Sequence, residues 1–176
     1  MAGPQNYKTP RSFIDAVERR FGPIVFDLAA EDGHVCRNFY AEKDDSLAQD
    51  WVALYKRIGV SRVRRAGKVE TRPNWFWLNP PFSGGPTPEG EKKRTLENWT
   101  RKCWEASREG VRILYLVPAS VDSQWWENWV RGRGRDEAIA PRIEFVGKDE
   151  PFMKPLSLIV FEPGVSGASG GRWRWK

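Results

Sequence analysis

Histidine occurs once in this 176-residue chain, at His34, and cysteine twice, at Cys36 and Cys103. Zinc sites of the Cys/His type, HExxH helices and Ser-His-Asp triads cannot easily be assembled from that inventory. Two cysteines without CxxC spacing give no disulfide framework. No apolar run approaches the roughly 20 residues that span a bilayer, and the opening MAGPQNYKTP has no secretory apolar core. The chain is therefore expected to be soluble and intracellular. If it is an enzyme, it is expected to work without an imidazole base.

What is present points elsewhere. The chain has 29 Lys+Arg against 23 Asp+Glu, a net charge of +6, and ten tryptophans. Its length is ample for one domain with a real core. Between Val52 and Asn74 lie Lys56, Arg57, Arg62, Arg64, Arg65, Lys68 and Arg72, opposed only by Glu70. That segment accounts for the whole net charge. A solvated surface loop is the plain reading of such a run. A contact with phosphates is the sharper one, because clustered Lys/Arg releases counterions from nucleic acid. Smaller basic clusters stand at Arg131, Arg133 and Arg135, and in the tail Arg172-Trp173-Arg174-Trp175-Lys176. The tail follows GVSGASGG, so residues 165–176 are expected to be flexible.

Thr9 and Pro10 read as N-cap and first position of a helix carrying Phe13, Ile14, Val17 and Phe21. Ile24–Leu28 reads as a buried strand, and Asn38–Tyr40 as a weak one. Residues 52–74 look irregular, with a hairpin expected around Gly67-Lys68. Trp75–Leu78 is a strand, Thr95–Arg108 a helix, Val111–Val117 a strand buried on both faces and Gln124–Arg131 a Trp-rich helix. Ile143–Val146 and Leu156–Phe161 complete the pattern as an antiparallel hairpin. Strands alternating with helices indicate an α/β fold with a mostly parallel sheet covered on both sides.

Chemistry concentrates at Asn79-Pro80-Pro81-Phe82, which follows an apolar strand at the end where open α/β sheets bind ligands. The Asn79 side-chain carbonyl and the Pro80 backbone carbonyl can each accept one hydrogen of an exocyclic amine. Two fixed acceptors stabilise positive charge as that weakly nucleophilic nitrogen attacks a methyl donor. The prolines stiffen the turn and offer no competing N–H. Phe82 can stack on an extruded base.

The tetrapeptide resembles the [DNS]-P-P-[YFW] motif of amino-methyltransferases that use S-adenosylmethionine. From about Tyr7 to Gly164 the chain resembles the small phage-type DNA N6-adenine methyltransferases. The resemblance rests on Thr9-Pro10, Phe26 to Ala30, Asp45-Ser46-Leu47 with Gln49-Asp50-Trp51, and Asn79 to Phe82. It continues through Leu116 to Ser120, Trp125-Trp126, Phe145 to Lys148, and Phe152. It implies a Rossmann-like methyltransferase fold over residues 1–164, with no separate target-recognition domain. Tyr7, Thr9 and Pro10 would lie against the methionine part of the cofactor. Asp27, Leu28 and Ala29 would supply backbone contacts and an acidic residue beside it, and Asp45, with Asp44 and Leu47, would bind the adenosyl part. Phe82 and Phe152 would pack on the target base, with Lys148 nearby. Arg62, Arg64, Arg65 and Lys68 are the expected DNA-backbone contacts. Where general methyltransferases carry a glycine-rich turn after the first strand, this chain has Asp-Leu-Ala-Ala-Glu-Asp-Gly.

The expected partner is double-stranded DNA, the expected cofactor S-adenosylmethionine without a metal, and the expected setting the cytoplasm of a phage's bacterial host. A monomer or weak dimer is expected. Residues 52–74, 83–95 and 131–142 are the candidates for reading DNA sequence. The motif also fits cytosine N4, an RNA base or a protein glutamine as acceptor, and a non-catalytic nucleic-acid binding module is a further alternative.

Overall fold

Apolar residues run unbroken through the central strands, and in the computed structural model their two-residue period divides the core into two layers. Residues 7–65, 67–82, 95–165 and 170–176 are described, the side chains of 63–65 excepted. Strands β4 (Trp75–Leu78) and β5 (Ile113–Pro118) are buried along their whole length. Trp75, Trp77, Leu114 and Leu116 face one layer, while Phe76, Leu78, Ile113, Tyr115 and Val117 face the other, as alternation across a pleated strand requires. The first layer is filled by α1 (Arg11–Phe21) through Phe13, Ile14, Ala16 and Val17. The second is filled by α2 (Trp51–Ile58), α3 (Leu96–Arg108) and α4 (Gln124–Trp129). In β1 (Ile24–Asp27), a register irregularity between Ile24 and Phe26 sends these two side chains to opposite layers.

With β6 (Arg135–Ala140), β7 (Leu156–Phe161) and β8 (Gly171–Arg174), these strands form a six-stranded sheet in the order β1-β4-β5-β7-β6-β8. The β1–β4, β4–β5 and β6–β8 pairs are parallel, and β7 is antiparallel to both neighbours. Only β7 therefore runs against the rest. The mostly parallel sheet between helical layers fits a Rossmann-like fold, and it gathers the carboxyl ends of five strands along one edge.

Several expected elements differ. Ile143–Val146 is not a strand. Ile143 and Phe145 are both buried, which imitates a strand pattern. Their neighbourhood bonds outside the sheet instead: Val146 N–H donates to the Lys8 carbonyl at 2.9 Å and Phe152 N–H to the Ile143 carbonyl at 3.0 Å. The antiparallel partner of β7 is β6, whose charged opening, Arg135-Asp136-Glu137, makes 131–142 look like a loop. That charge is compensated in the fold. Glu137, 1% exposed, accepts from both terminal nitrogens of Arg20, at 2.5 and 3.0 Å.

The tail is likewise docked rather than flexible. Its strand β8 pairs with β6, and Trp175 donates its backbone N–H to Ala140 and its indole N–H to Pro141. The Trp173 and Trp175 rings pack on Phe13 at 5.6 and 5.0 Å. Asn38–Tyr40 contributes only an isolated bridge to Asp27.

The basic segment 52–74 is not one loop. Its first part is α2, capped by the Asp50 carboxylate on the N–H groups of Val52 and Ala53. The rest is the expected hairpin, β2 (Ser61–Arg65) with β3 (Lys68–Arg72), which among the described residues forms a two-stranded sheet of its own. Buried Asn74 clamps its base by accepting from the Ser61 hydroxyl and donating to the Gly59 carbonyl. Because β3 runs directly into the start of β4, the hairpin is rooted at the amino edge of the sheet, opposite Asn79. Among the described residues, no helix is long and apolar enough to cross a membrane.

Candidate active site

Strand β4 ends where Pro80 and Pro81 remove two consecutive N–H groups from the ladder. Asn79 sits at that end, and its amide is held by a segment about 70 positions back in the chain. Its Nδ2 donates to the Tyr7 carbonyl at 2.7 Å and to Thr9 Oγ1 at 3.2 Å. A carbonyl can only accept, so the Tyr7 contact fixes which way the amide points. The Asn79 oxygen is consequently left buried without a hydrogen-bond partner among the described residues. An unsatisfied buried acceptor costs about 1–3 kcal/mol, which a donor entering the site would recover.

Residues 7–10 form a strap in which every carbonyl is committed. That of Tyr7 serves Asn79, that of Lys8 takes Val146 N–H at 2.9 Å, and that of Thr9 bonds His34 Nε2 at 2.9 Å. The Pro10 carbonyl takes the N–H groups of Phe13 and Ile14 at 3.0 and 3.2 Å. Lys8 also pairs with Asp32 at 2.6 Å, and Asp32 accepts from His34 N–H at 3.1 Å. The single histidine is thus a fastener of the strap. Sequence reading misses this role, because the contact joins two loops 25 residues apart with no periodic signal. Nor does Thr9 cap α1, as its place before Pro10 suggests. The cap position belongs to Pro10, without a side-chain bond, and the Thr9 hydroxyl serves Asn79 instead.

Four aromatic rings gather beside the strap. Phe82 stacks on Tyr7 with centroids 5.4 Å apart and planes at 20°. Phe152 meets Tyr7 edge-on at 5.0 Å, and Phe145 lies 5.1 Å from Tyr7. Lys148 Nζ stands 5.7 Å from the centre of the Tyr7 ring. Tyr7, Phe82, Phe145, Lys148 and Phe152 share the lining of a cavity of about 710 Å³, together with Ser120 from the end of β5. That volume lies within the roughly 300–1,000 Å³ of small-molecule sites, and Asp149, Glu150 and Lys154 add charged groups to the aromatic lining. The sequence-expected residues Tyr7, Thr9, Asn79, Phe82, Lys148 and Phe152 are thus brought together.

Asp27 ends β1, in register with Trp77 of β4, and the next N–H, of Leu28, donates to the Trp77 carbonyl at 2.9 Å. Its carboxyl is 4% exposed and accepts from Ala29 N–H at 3.0 Å. Burial pushes its pKa up to about 7; the Ala29 bond opposes this and the nearby Asp32 charge adds to it. No cation offsets the burial among the described residues. Asp27 therefore caps its turn and also waits as a buried carboxylate that a positively charged group would stabilise.

Tyr40 and Asn38 bond to Asp27 through the backbone and lead into two short 3-10 turns, Glu42–Asp44 and Ser46–Ala48. Asp44 spends its carboxylate on Ala41 N–H at 2.8 Å, and the Leu47 carbonyl accepts from Lys102. Asp45 lies between the turns at φ 44°, a left-handed conformation uncommon outside glycine, with its side chain exposed. Of the two aspartates, Asp44 holds the turn and Asp45 faces outward.

Arg62 and Lys68 are exposed on the hairpin, whose root lies at the opposite edge from the cavity. The side chains of Arg64 and Arg65, and residues 83–94 of one candidate recognition loop, lie outside the described residues. No group of three or more His, Cys, Asp or Glu suited to a metal occurs among the described residues.

Residues 4–152 match the family described as DNA N-6-adenine-methyltransferase (Dam). Among individual proteins, the chain is similar to the DNA N-6-adenine-methyltransferase of Escherichia phage T1. The two are 26% identical over 121 residues, which is 68% of this chain. The match spans 38% of that relative's length.

Proposed function

The chain belongs to the DNA N-6-adenine-methyltransferase family, and from that premise we propose that it transfers a methyl group from S-adenosylmethionine to the N6 amine of adenine in double-stranded DNA. The observation that carries this reading is the Asn79 oxygen, a buried acceptor oriented by Tyr7 and Thr9 and left without a partner among the described residues.

An adenine N6 amine presents two N–H groups and a lone pair delocalised into the ring. The Asn79 oxygen accepts one hydrogen and the Pro80 carbonyl the other, which favours a pyramidal nitrogen and stabilises its positive charge as the N–C bond forms and the donor's S–C bond would break. The methylated nitrogen then gives up its surplus proton to water. Removing one such preorganised group typically costs ~100–1,000-fold in rate. No base must act before attack, in keeping with a chain whose one histidine is a fastener. The base is extruded from the duplex into the aromatic cavity, where Phe82 and Phe152 pack on its faces. Phe82 rests on Tyr7 in the structure, so a base competes for that face or stacks on the other side of Phe82. Lys148 stands at the same wall as a cation for the flipped nucleotide's phosphate.

The residues present fit S-adenosylmethionine. Asp27, buried and without a cation among the described residues, suits its amino group, with Leu28 and Ala29 lending backbone contacts. Asp45, with Asp44 and Leu47 shaping its turn, suits the adenosyl end, and Tyr7, Thr9 and Pro10 border the methionine part. When bound, the cofactor supplies an electrophilic methyl on a sulfonium. Arg62, Arg64, Arg65 and Lys68 are DNA-backbone contacts on a hairpin arm about 17 Å long. The phage T1 relative supports a phage or prophage origin, and with it a bacterial cytoplasm as the place of action.

The test is the identity of the product. DNA incubated with the protein and isotope-labelled S-adenosylmethionine, then digested to nucleosides, should carry the label on N6-methyladenine by mass. Label on cytosine N4, on RNA alone or on a protein would overturn the reading.

A further inference from the structure

The C-terminal strand lies outside the residues that match the family, which end at 152, and its basic residues have no role in the reaction above. In the sequence it resembles a stacking platform, with arginine and tryptophan alternating. The fold separates the two. Trp175 is buried, and Trp173 is half-buried between Phe13 and Phe21 with the Arg20 guanidinium 4.9 Å from its ring. Neither indole presents a face for a base. Arg172, Arg174 and Lys176 take the alternate positions and are exposed. No ion pair with an acidic side chain engages any of the three among the described residues. Alternate residues on a strand stand about 6.7 Å apart, so Arg172 and Arg174 make a row of cations along β8, and Lys176 extends it just past the strand's end, with its Nζ 4.8 Å from the centre of the Trp175 ring.

The row has a defined place relative to Asn79. Strands β4, β5, β6 and β8 share one direction, so Arg174 and Lys176 finish on the carboxyl edge that holds Asn79. Four strand spacings separate β4 from β8, which at about 4.8 Å each is about 19 Å. Arg142, exposed just beyond β6, stands between them and donates to the Met153 carbonyl of the cavity rim at 3.0 Å. Exposed Asp149 and Glu150 give the rim acidic groups as well, so the uninterrupted positive stretch is the strand itself.

We infer that β8 is a phosphate rail, a second DNA contact that grips the backbone beyond the extruded base without reading sequence. This rests on DNA being the substrate. Along a duplex rising roughly 3.4 Å per step, 19 Å corresponds to about five to six base pairs. The rail therefore holds DNA on one side of the target, at that distance.

The test compares the full chain with an Arg172→Gln/Arg174→Gln/Lys176→Gln variant, whose tryptophans still anchor the strand. A control carries Arg19→Gln, Arg101→Gln and Arg108→Gln, the same charge change on exposed helix positions. Binding to a 30-base-pair duplex without methyl donor is followed from low to moderate salt. At about 0.9 per phosphate contact, the rail variant should lower the slope of log affinity against log salt by about 2–3, and the control by less than 1. In a hydroxyl-radical footprint, the rail variant should lose protection about five to six base pairs from the methylated adenine, on one side only. An unchanged slope, an equal effect of the control, or protection lost beside the adenine would each overturn the inference. Wild-type protein that binds no duplex at all would fail the DNA reading itself and the rail with it. Wild-type binding with an unchanged variant would fail the rail alone.

Discussion

Replacing Asp27 with asparagine separates what this carboxylate does for the fold from what it does for a ligand. The side-chain carbonyl that Asp27→Asn retains can still accept the Ala29 N–H that Asp27 receives at 3.0 Å, so the turn survives. What disappears is the charge. Burial raises the folded carboxyl from the ordinary 3.8 to about 7. The folded protein thus holds this proton more tightly than the unfolded chain does. The contribution of this proton to stability is fully present below pH 3.8, is lost as pH rises towards about 7, and levels off above that. At about 1.4 kcal/mol for each pH unit between the two values, burying this group costs about 4 kcal/mol above pH 8, where it is ionised in both states, but only about 2 kcal/mol near pH 5, where the folded carboxyl keeps its proton and the unfolded one has lost it. Urea denaturation of both proteins at these two pH values isolates the effect, because all other groups cancel in the difference. Asp27→Asn should gain about 2–3 kcal/mol relative to wild type between about pH 5 and pH 8.5. It should also lose affinity for S-adenosylmethionine in calorimetric titration. A stability difference independent of pH would refute the burial argument, and unaltered cofactor affinity would refute the ligand role.

The contacts of Thr9, the hairpin and Trp175 set further expectations. Thr9→Val keeps the volume but removes the acceptor at 3.2 Å from Asn79 Nδ2; kcat should fall roughly 10-fold, for the loss of about 1.4 kcal/mol of positioning, with Tm little changed and Thr9→Ser restoring the rate. Arg62→Gln with Lys68→Gln, on the hairpin rooted at the amino edge of the sheet, should reduce the salt slope of DNA binding by about 2 while leaving kcat at saturating DNA unchanged. Trp175→Ala removes an indole that is 8% exposed and bonded to Pro141; chemical denaturation should show a loss of about 3–5 kcal/mol. A fully flexible tail would show none.

The parts of this molecule legible in the sequence are those governed by local pattern. Trp75–Leu78, Leu156–Phe161 and the helix from Leu96 follow from apolar runs and period, and the hairpin from Gly67-Lys68. β6 is hidden because Arg135-Asp136-Glu137 reads as a surface loop until Arg20, 117 residues away, neutralises the buried Glu137. β8 is hidden because glycine and serine before it announce a linker, whereas the docking force comes from α1. At the site, the Asn-Pro-Pro-Phe motif announces itself, but the orientation of the Asn79 amide depends on Tyr7 and Thr9, beyond the reach of any local pattern. The hairpin's edge is different. An insertion that ends at Asn74 must leave from the amino end of β4, so its distance from Asn79 follows from strand direction alone.

In the proposed mechanism, methyl transfer turns on one oxygen atom, that of the Asn79 side chain. Single-turnover methyl transfer to DNA, with protein in excess and S-adenosylmethionine saturating, measures its contribution apart from binding and product release. Asn79→Ala should transfer methyl groups ~100–1,000-fold more slowly than wild type, while its DNA and cofactor affinities stay within a few-fold. An alanine variant that forms N6-methyladenine at the wild-type rate would contradict that role.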